Sequence, residues 1–312
     1  MNALLAAAAF ALGIGLVIFA TDRLVDGLVG VAALLRVAPF VATVLLSGLE
    51  AENVAVGLAA GQRGASDVAL GTALGGATFL MCMALGLGAL IAPLELKLPR
   101  GIVMLLPLAA LLAGLPLLAA VTPRWSGIVL LVAFAGAMAY LVRAARQLPL
   151  AAIPEAGEGG RPSPAAALLL TVGGILLIGL GGELVAIGAQ GLIGALGLAS
   201  GLMGMVITPA AIESEEVVRQ AVPARRGRPD ISAGNLVGTV LYFTLFNLGL
   251  IALITPVAIP DRVRLVDWPF LVMSAVLTAV FLLRGRVGRW EGAMLVGLGL
   301  IYAVTHAVLA RG

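Results

Sequence analysis

Five glutamates of this 312-residue chain fall inside stretches that are otherwise apolar: Glu50 and Glu52 in one, and Glu213, Glu215 and Glu216 in another. A carboxylate held in hydrocarbon is costly unless it is paired, hydrated or protonated, so five of them read as function. Residues three apart on a helix share a face, which groups Glu50 with Asn53 and Glu213 with Glu216. If the two faces meet, they form a cluster of three carboxylates and one amide. Its oxygens are hard ligands that suit Ca²⁺, Mg²⁺, Mn²⁺, Na⁺ or protons rather than soft metals. Glu52 and Glu215 lie about 100° round their helices from these faces and are accessory candidates. For Glu215 two readings stand, transport chemistry or an ion pair with Arg219 four residues on. Glu52 has Val56 at the equivalent place, which leaves it a position at a water-filled vestibule.

The remaining chemistry-bearing residues read more plainly. His306 is expected to be packed or interfacial, and Cys82, with Met81 and Met83, to fill a helix. Asp67 and Asp230 stand where helices begin and where an acid complements the helix dipole. A single cysteine excludes an intramolecular disulfide and any multi-Cys metal site. There is no His/Glu metal motif and no serine with a base beside it, so neither an enzyme nor a resident cofactor is expected.

Whatever positions these carboxylates must do so in a membrane. The chain is 61% hydrophobic and 11% charged, with mean hydropathy +1.13, far from the roughly 45–50% apolar and about 25% charged of soluble domains. The formal charge of +3 is small and gives no sign of a nucleic-acid partner; the partners expected are the lipid bilayer and inorganic cations. Apolar runs near 3–21, 37–61, 68–93, 101–121, 125–142, 165–189, 200–222, 232–257, 266–283 and 290–310 predict ten transmembrane helices. Charged or proline-marked breaks separate them, among them 22–36 and a stretch around 183–200. One loop, 149–164, has linker composition and divides the chain into a first five-helix repeat, 1–148, and a second, 165–312. Lys and Arg concentrate in the loops on one side, which places both termini outside the plasma (inner) membrane and the central loop in the cytoplasm.

The halves are related. One constant shift aligns Leu49–Leu87 with Ile212–Leu250, setting Glu50 on Glu213, Glu52 on Glu215, Arg63-Gly64 on Arg226-Gly227, Asp67 on Asp230, Gly71 on Gly234 and Gly75 on Gly238. Five spans separate the copies, and five is odd, so the fold class expected is an all-α membrane protein of two inverted repeats. Transporters of that build place their site near the midplane, where the copies meet. The paired glycines also suit close helix packing in any membrane protein. Packing does not account for the glutamates.

The stretches from Gly48 to Gly86 and from Ala211 to Gly249 resemble the two alpha repeats of the calcium/cation antiporter superfamily, the sodium/calcium and proton/calcium exchangers. Each family repeat reads approximately Gly-Thr-Ser-Leu-Pro-Glu, then, after a spacer, Gly-Asn-x-x-Gly-Ser-Asn. Here the second copy has Glu216 at the motif glutamate, followed by Gly234, Asn235, Gly238 and Thr239. The first has Gly48, Asn53 in place of the glutamate, then Gly71, Thr72, Gly75 and Gly76. The resemblance adds Thr239 to the ligand candidates Glu50, Asn53, Glu213 and Glu216. It departs from the family where Thr-Ser becomes Leu49-Glu50 and Ile212-Glu213, and where proline becomes Glu52 and Glu215. Later ligand positions become Gly76 and Leu80 in one copy, and Thr239 and Phe243 in the other. What the resemblance implies is a divergent secondary antiporter that exchanges Ca²⁺, or another divalent cation, for H⁺ or Na⁺ by alternating access. A channel-like cation pathway or a non-transporting regulatory subunit is the alternative.

Overall fold

The computed structural model describes residues 3–35, 38–47, 51–145, 163–193 and 203–309. The first half runs α1 (Ala3–Leu35), α2 (Pro39–Ser47), α3 (Ala51–Gln62), α4 (Ser66–Ile91), α5 (Arg100–Leu112) and α6 (Arg124–Ala145). The second runs α7 (Pro164–Ile193), α8 (Thr208–Ile212, entered through a π-helical turn at Met203–Ile207), α9 (Glu216–Arg225), α10 (Pro229–Ile254), α11 (Val263–Leu283) and α12 (Arg289–Leu309). The same order of elements thus occurs twice. Among the described residues the fold is all-helical apart from one short ribbon, in which Leu94 pairs with Val287 and Glu95 with Arg286. A single bridge, Val121 to Ala258, ties the matching places of the other ends.

Eight helices among the described residues are long and apolar enough to cross a membrane. Of the two further apolar runs expected, 37–61 holds α2 and α3, with 48–50 between them outside the described residues, and 200–222 holds α8 and α9, joined by a 3₁₀ turn at Glu213–Glu215. The expected break at 22–36 is corrected: α1 continues through Asp22, Arg23 and Asp26 to Leu35. Asp22 and Asp26 are paired with Arg226 of the other half, whose guanidinium lies 3.3 Å from the first and 2.6 Å from the second, and Arg23 lies over the ring of Phe19. The break expected around 183–200 starts later than expected, since α7 continues past Glu183 to Ile193; 194–200 lie outside the described residues. The linker expected at 149–164 lies outside the described residues up to Pro162.

α1 and α7 pack along one another, with Gly27 and Gly174 giving room for Thr171 and Leu24. The interior is built by α4 and α10, whose glycines receive helices of the opposite half. A Cβ on Gly234 would stand 2.5 Å from the carbonyl oxygen of Phe40, and one on Gly238 2.9 Å from that of Val44. Gly75 faces the carbonyl of Met205 and the ring of Pro209 in the reciprocal way. These glycines are packing positions. The matched Arg-Gly pairs have a backbone reason too. Gly64 (φ 72°) and Gly227 (φ 70°) are left-handed, and Ala65 N–H bonds back to Ala60 O at 2.9 Å, as Arg228 N–H does to Pro223 O at 2.8 Å. Both are glycine-capped helix ends.

Asp67 and Asp230 sit in the first turns of α4 and α10, where an acid complements the helix dipole; Asp67 also accepts from Arg262 at 2.5 Å and Asp230 from Arg228 at 2.6 Å.

The carboxylate site between the halves

The polar run Glu213-Ser214-Glu215-Glu216 lies where α8 gives way to α9. α8 ends at Ile212, Glu213–Glu215 form one 3₁₀ turn, and α9 starts at Glu216. The tighter turn brings residues three apart over one another, so Glu213 and Glu216 remain neighbours through the break. All three glutamates are buried, Glu216 completely.

Asn53, in the first turn of α3, is buried at 1% exposure, and its Nδ2 donates to Glu213 Oε1 at 2.9 Å. One hydrogen bond thus joins α3 to the turn between α8 and α9. Glu216 turns to a second amide: Asn235 Nδ2, from α10, donates to its Oε2 at 2.5 Å. The other oxygen of Glu216 is in ionic contact with Arg219, one turn along α9, and Arg219 Nη1 also lies 3.5 Å from Glu215 Oε1. Of the two readings of Glu215, the structure displays the ion pair. It also shows that the pair is a triad, because Glu215 and Glu216, four and three residues before Arg219, both face its guanidinium. Glu213 lies within electrostatic reach of all three.

Thr239, on α10 one turn beyond Asn235, is fully buried, and its Oγ1 makes no hydrogen bond among the described residues. Gln220, next to Arg219, is likewise fully buried with neither side-chain oxygen nor nitrogen bonded. Glu50 lies outside the described residues. Glu52 falls in α3, but its side chain is outside the description.

At the first-half counterpart of Thr239 stands Gly76. A Cβ there would lie 2.9 Å from the ring of Phe243, which is wholly buried. Glycine and phenylalanine exchange volume across the junction, and hydrocarbon fills the place where the other half offers a hydroxyl. Among the described residues, Glu213, Glu216, Asn235 and Thr239 all belong to the second half.

Sequence reasoning passed over Asn235 as a ligand candidate although its motif position was visible, and treated Arg219 only as a partner of Glu215. It also set His306 aside. His306 is buried with Nε2 2.7 Å from Asp267 Oδ1, and Tyr302 donates to the same oxygen at 2.6 Å. Arg262 approaches the other Asp267 oxygen at 3.8 Å and continues the chain to Asp67. This second polar cluster ties α11 and α12 to the start of α4. Cys82 packs inside, its sulfur 3.1 Å from Ser274 Oγ.

The family described as sodium/calcium exchanger protein matches residues 5–143 and 166–308, covering both halves. The inner membrane protein YrbG of Escherichia coli (strain K12) is 28% identical over 94% of each chain. The protein named "Putative antiporter CaxA" of Alkalimonas amylolytica is 27% identical over 89% of each. Among solved structures, the sodium-calcium exchanger NCX_Mj soaked with Na⁺ and Sr²⁺ superposes with a TM-score of 0.80 at 21% identity, covering 97% of this chain and 99% of that one.

Proposed function

Because the chain belongs to the sodium/calcium exchanger protein family, a family of membrane transporters, we propose that it is a secondary antiporter. It exchanges Ca²⁺ or another divalent cation for H⁺ or Na⁺ by alternating access. The observation that carries this reading is the Asn53–Glu213 hydrogen bond beside the buried Glu216, which puts carboxylates of one half against an amide of the other. Counting 37–61 and 200–222 as spans gives ten helices, five to each half, and an inverted second repeat with both termini outside the inner membrane. The recurring element order, the glycine caps at Gly64 and Gly227 and the paired ties at Leu94–Val287 and Val121–Ala258 support two related halves.

In the working cycle Glu213 and Glu216, with Glu50 from the first half, either surround a divalent cation or take up protons, so one kind of load excludes the other. Asn53 and Thr239 supply neutral oxygens, hard donors suited to such an ion. A site of this kind moves a cation across only when the other load returns.

Reconstituted in liposomes, the protein should take up Ca²⁺ when H⁺ or Na⁺ runs outward and stop when that gradient is dissipated. Glu213→Gln and Glu216→Gln should each abolish the uptake, because an amide keeps the shape but neither binds a proton nor neutralises a divalent ion. Uptake driven equally well by membrane potential alone would overturn the antiport reading in favour of a channel.

A further inference from the structure

We infer that Arg219 is a tethered counter-cation of the transport site: its guanidinium neutralises Glu216 while no cation is bound, and cation binding displaces it onto Glu215. The inference rests on the proposed function and gives the Glu215–Arg219 pair a part in it.

Arg219 is only 6% exposed and belongs to the same turn as the carboxylates. Its Nη1 is in contact with Glu216 Oε1 and 3.5 Å from Glu215 Oε1, so a small side-chain movement transfers it from one acid to the next. A buried guanidinium cannot simply be released, since removing one partner of a buried ion pair leaves an uncompensated charge. Glu215 supplies the second partner. Its other oxygen faces Gly182 of α7, where a Cβ would stand 2.9 Å from the Glu215 carboxyl carbon, so its position is fixed by packing.

Arg219 accordingly sets how tightly the site holds a cation and favours loads with enough charge to displace it.

The test is equilibrium binding of radiolabelled Ca²⁺, Mn²⁺ and Na⁺ to the purified full-length protein and its variants in detergent. Arg219→Gln should tighten divalent binding by at least about tenfold, since a competing positive charge is gone. Glu215→Gln should weaken it, since the guanidinium loses its alternative partner and stays on Glu216. A structural ion pair would not move affinity in opposite directions. Arg219→Lys, which keeps the charge, should bind within about threefold of the original and serves if the glutamine variant fails to fold. Glu215→Gln binding that is unchanged or tighter, or Arg219→Gln binding that is unchanged or weaker, overturns the inference. Glu213→Gln that binds normally while the other variants shift as stated removes Glu213 from the site and leaves the role of Arg219 standing. No binding of any ion by any form overturns the proposed function, and this inference with it.

Discussion

Asn53→Glu tests the junction of the halves directly. Asn53 donates to Glu213 across 2.9 Å, with both side chains buried. The substitution replaces the donor with a second carboxylate. It forfeits a hydrogen bond to a charged group, about 1.5–3 kcal/mol. It also adds like-charge repulsion of about 4 kcal/mol for charge centres ~4 Å apart at an effective dielectric constant of ~20. A loss near 6 kcal/mol corresponds to a fall of about 10 °C or more in melting temperature. A shared proton or a bridging divalent cation removes the repulsion, so the deficit should grow as pH rises and shrink when Ca²⁺ or Mn²⁺ is added. The assay is thermal unfolding of the detergent-solubilised protein across pH, with and without the cation. Equal stability of variant and original at high pH without cation would refute the contact between the halves. A deficit that no cation relieves would refute the reading of that contact as an ion site.

The spans were legible because hydrocarbon demands long apolar runs, and the relation of the halves because the glutamate pairs recur at one shift. Composition does not produce those pairs by chance. The errors fall where a distant partner reverses a local rule. Asp22, Arg23 and Asp26 read as a loop, yet Arg226, far along the chain, lets α1 pass through them. Glu215 was assigned to Arg219 from a spacing of four, but the spacing of three that brings Glu216 to the same guanidinium went unused. Gly76 and Phe243 were legible as departures from the family pattern, but their exchange of volume is visible only when α4 and α10 meet. Asn235 sat in a recognised motif and was still left out of the ligand set, since its carboxylate partner is set by the packing of α10 on α9.

Two further expectations concern the frame around the site. With Cys82 replaced by serine, single cysteines placed within 149–164 should resist a membrane-impermeant thiol reagent in intact cells, while one at residue 312 should react; the opposite pattern would reverse the orientation of both halves. Asp267 is the shared acceptor of Tyr302 and His306 and lies near Arg262, so Asp267→Asn leaves buried partners uncompensated and should cost about 3–5 kcal/mol of stability, read by thermal unfolding. Because that cluster ties α11 and α12 to α4 without touching Glu213 or Glu216, the folded fraction should bind divalent cations with unchanged affinity, and full stability with lost cation binding would instead make Asp267 part of the ion's path.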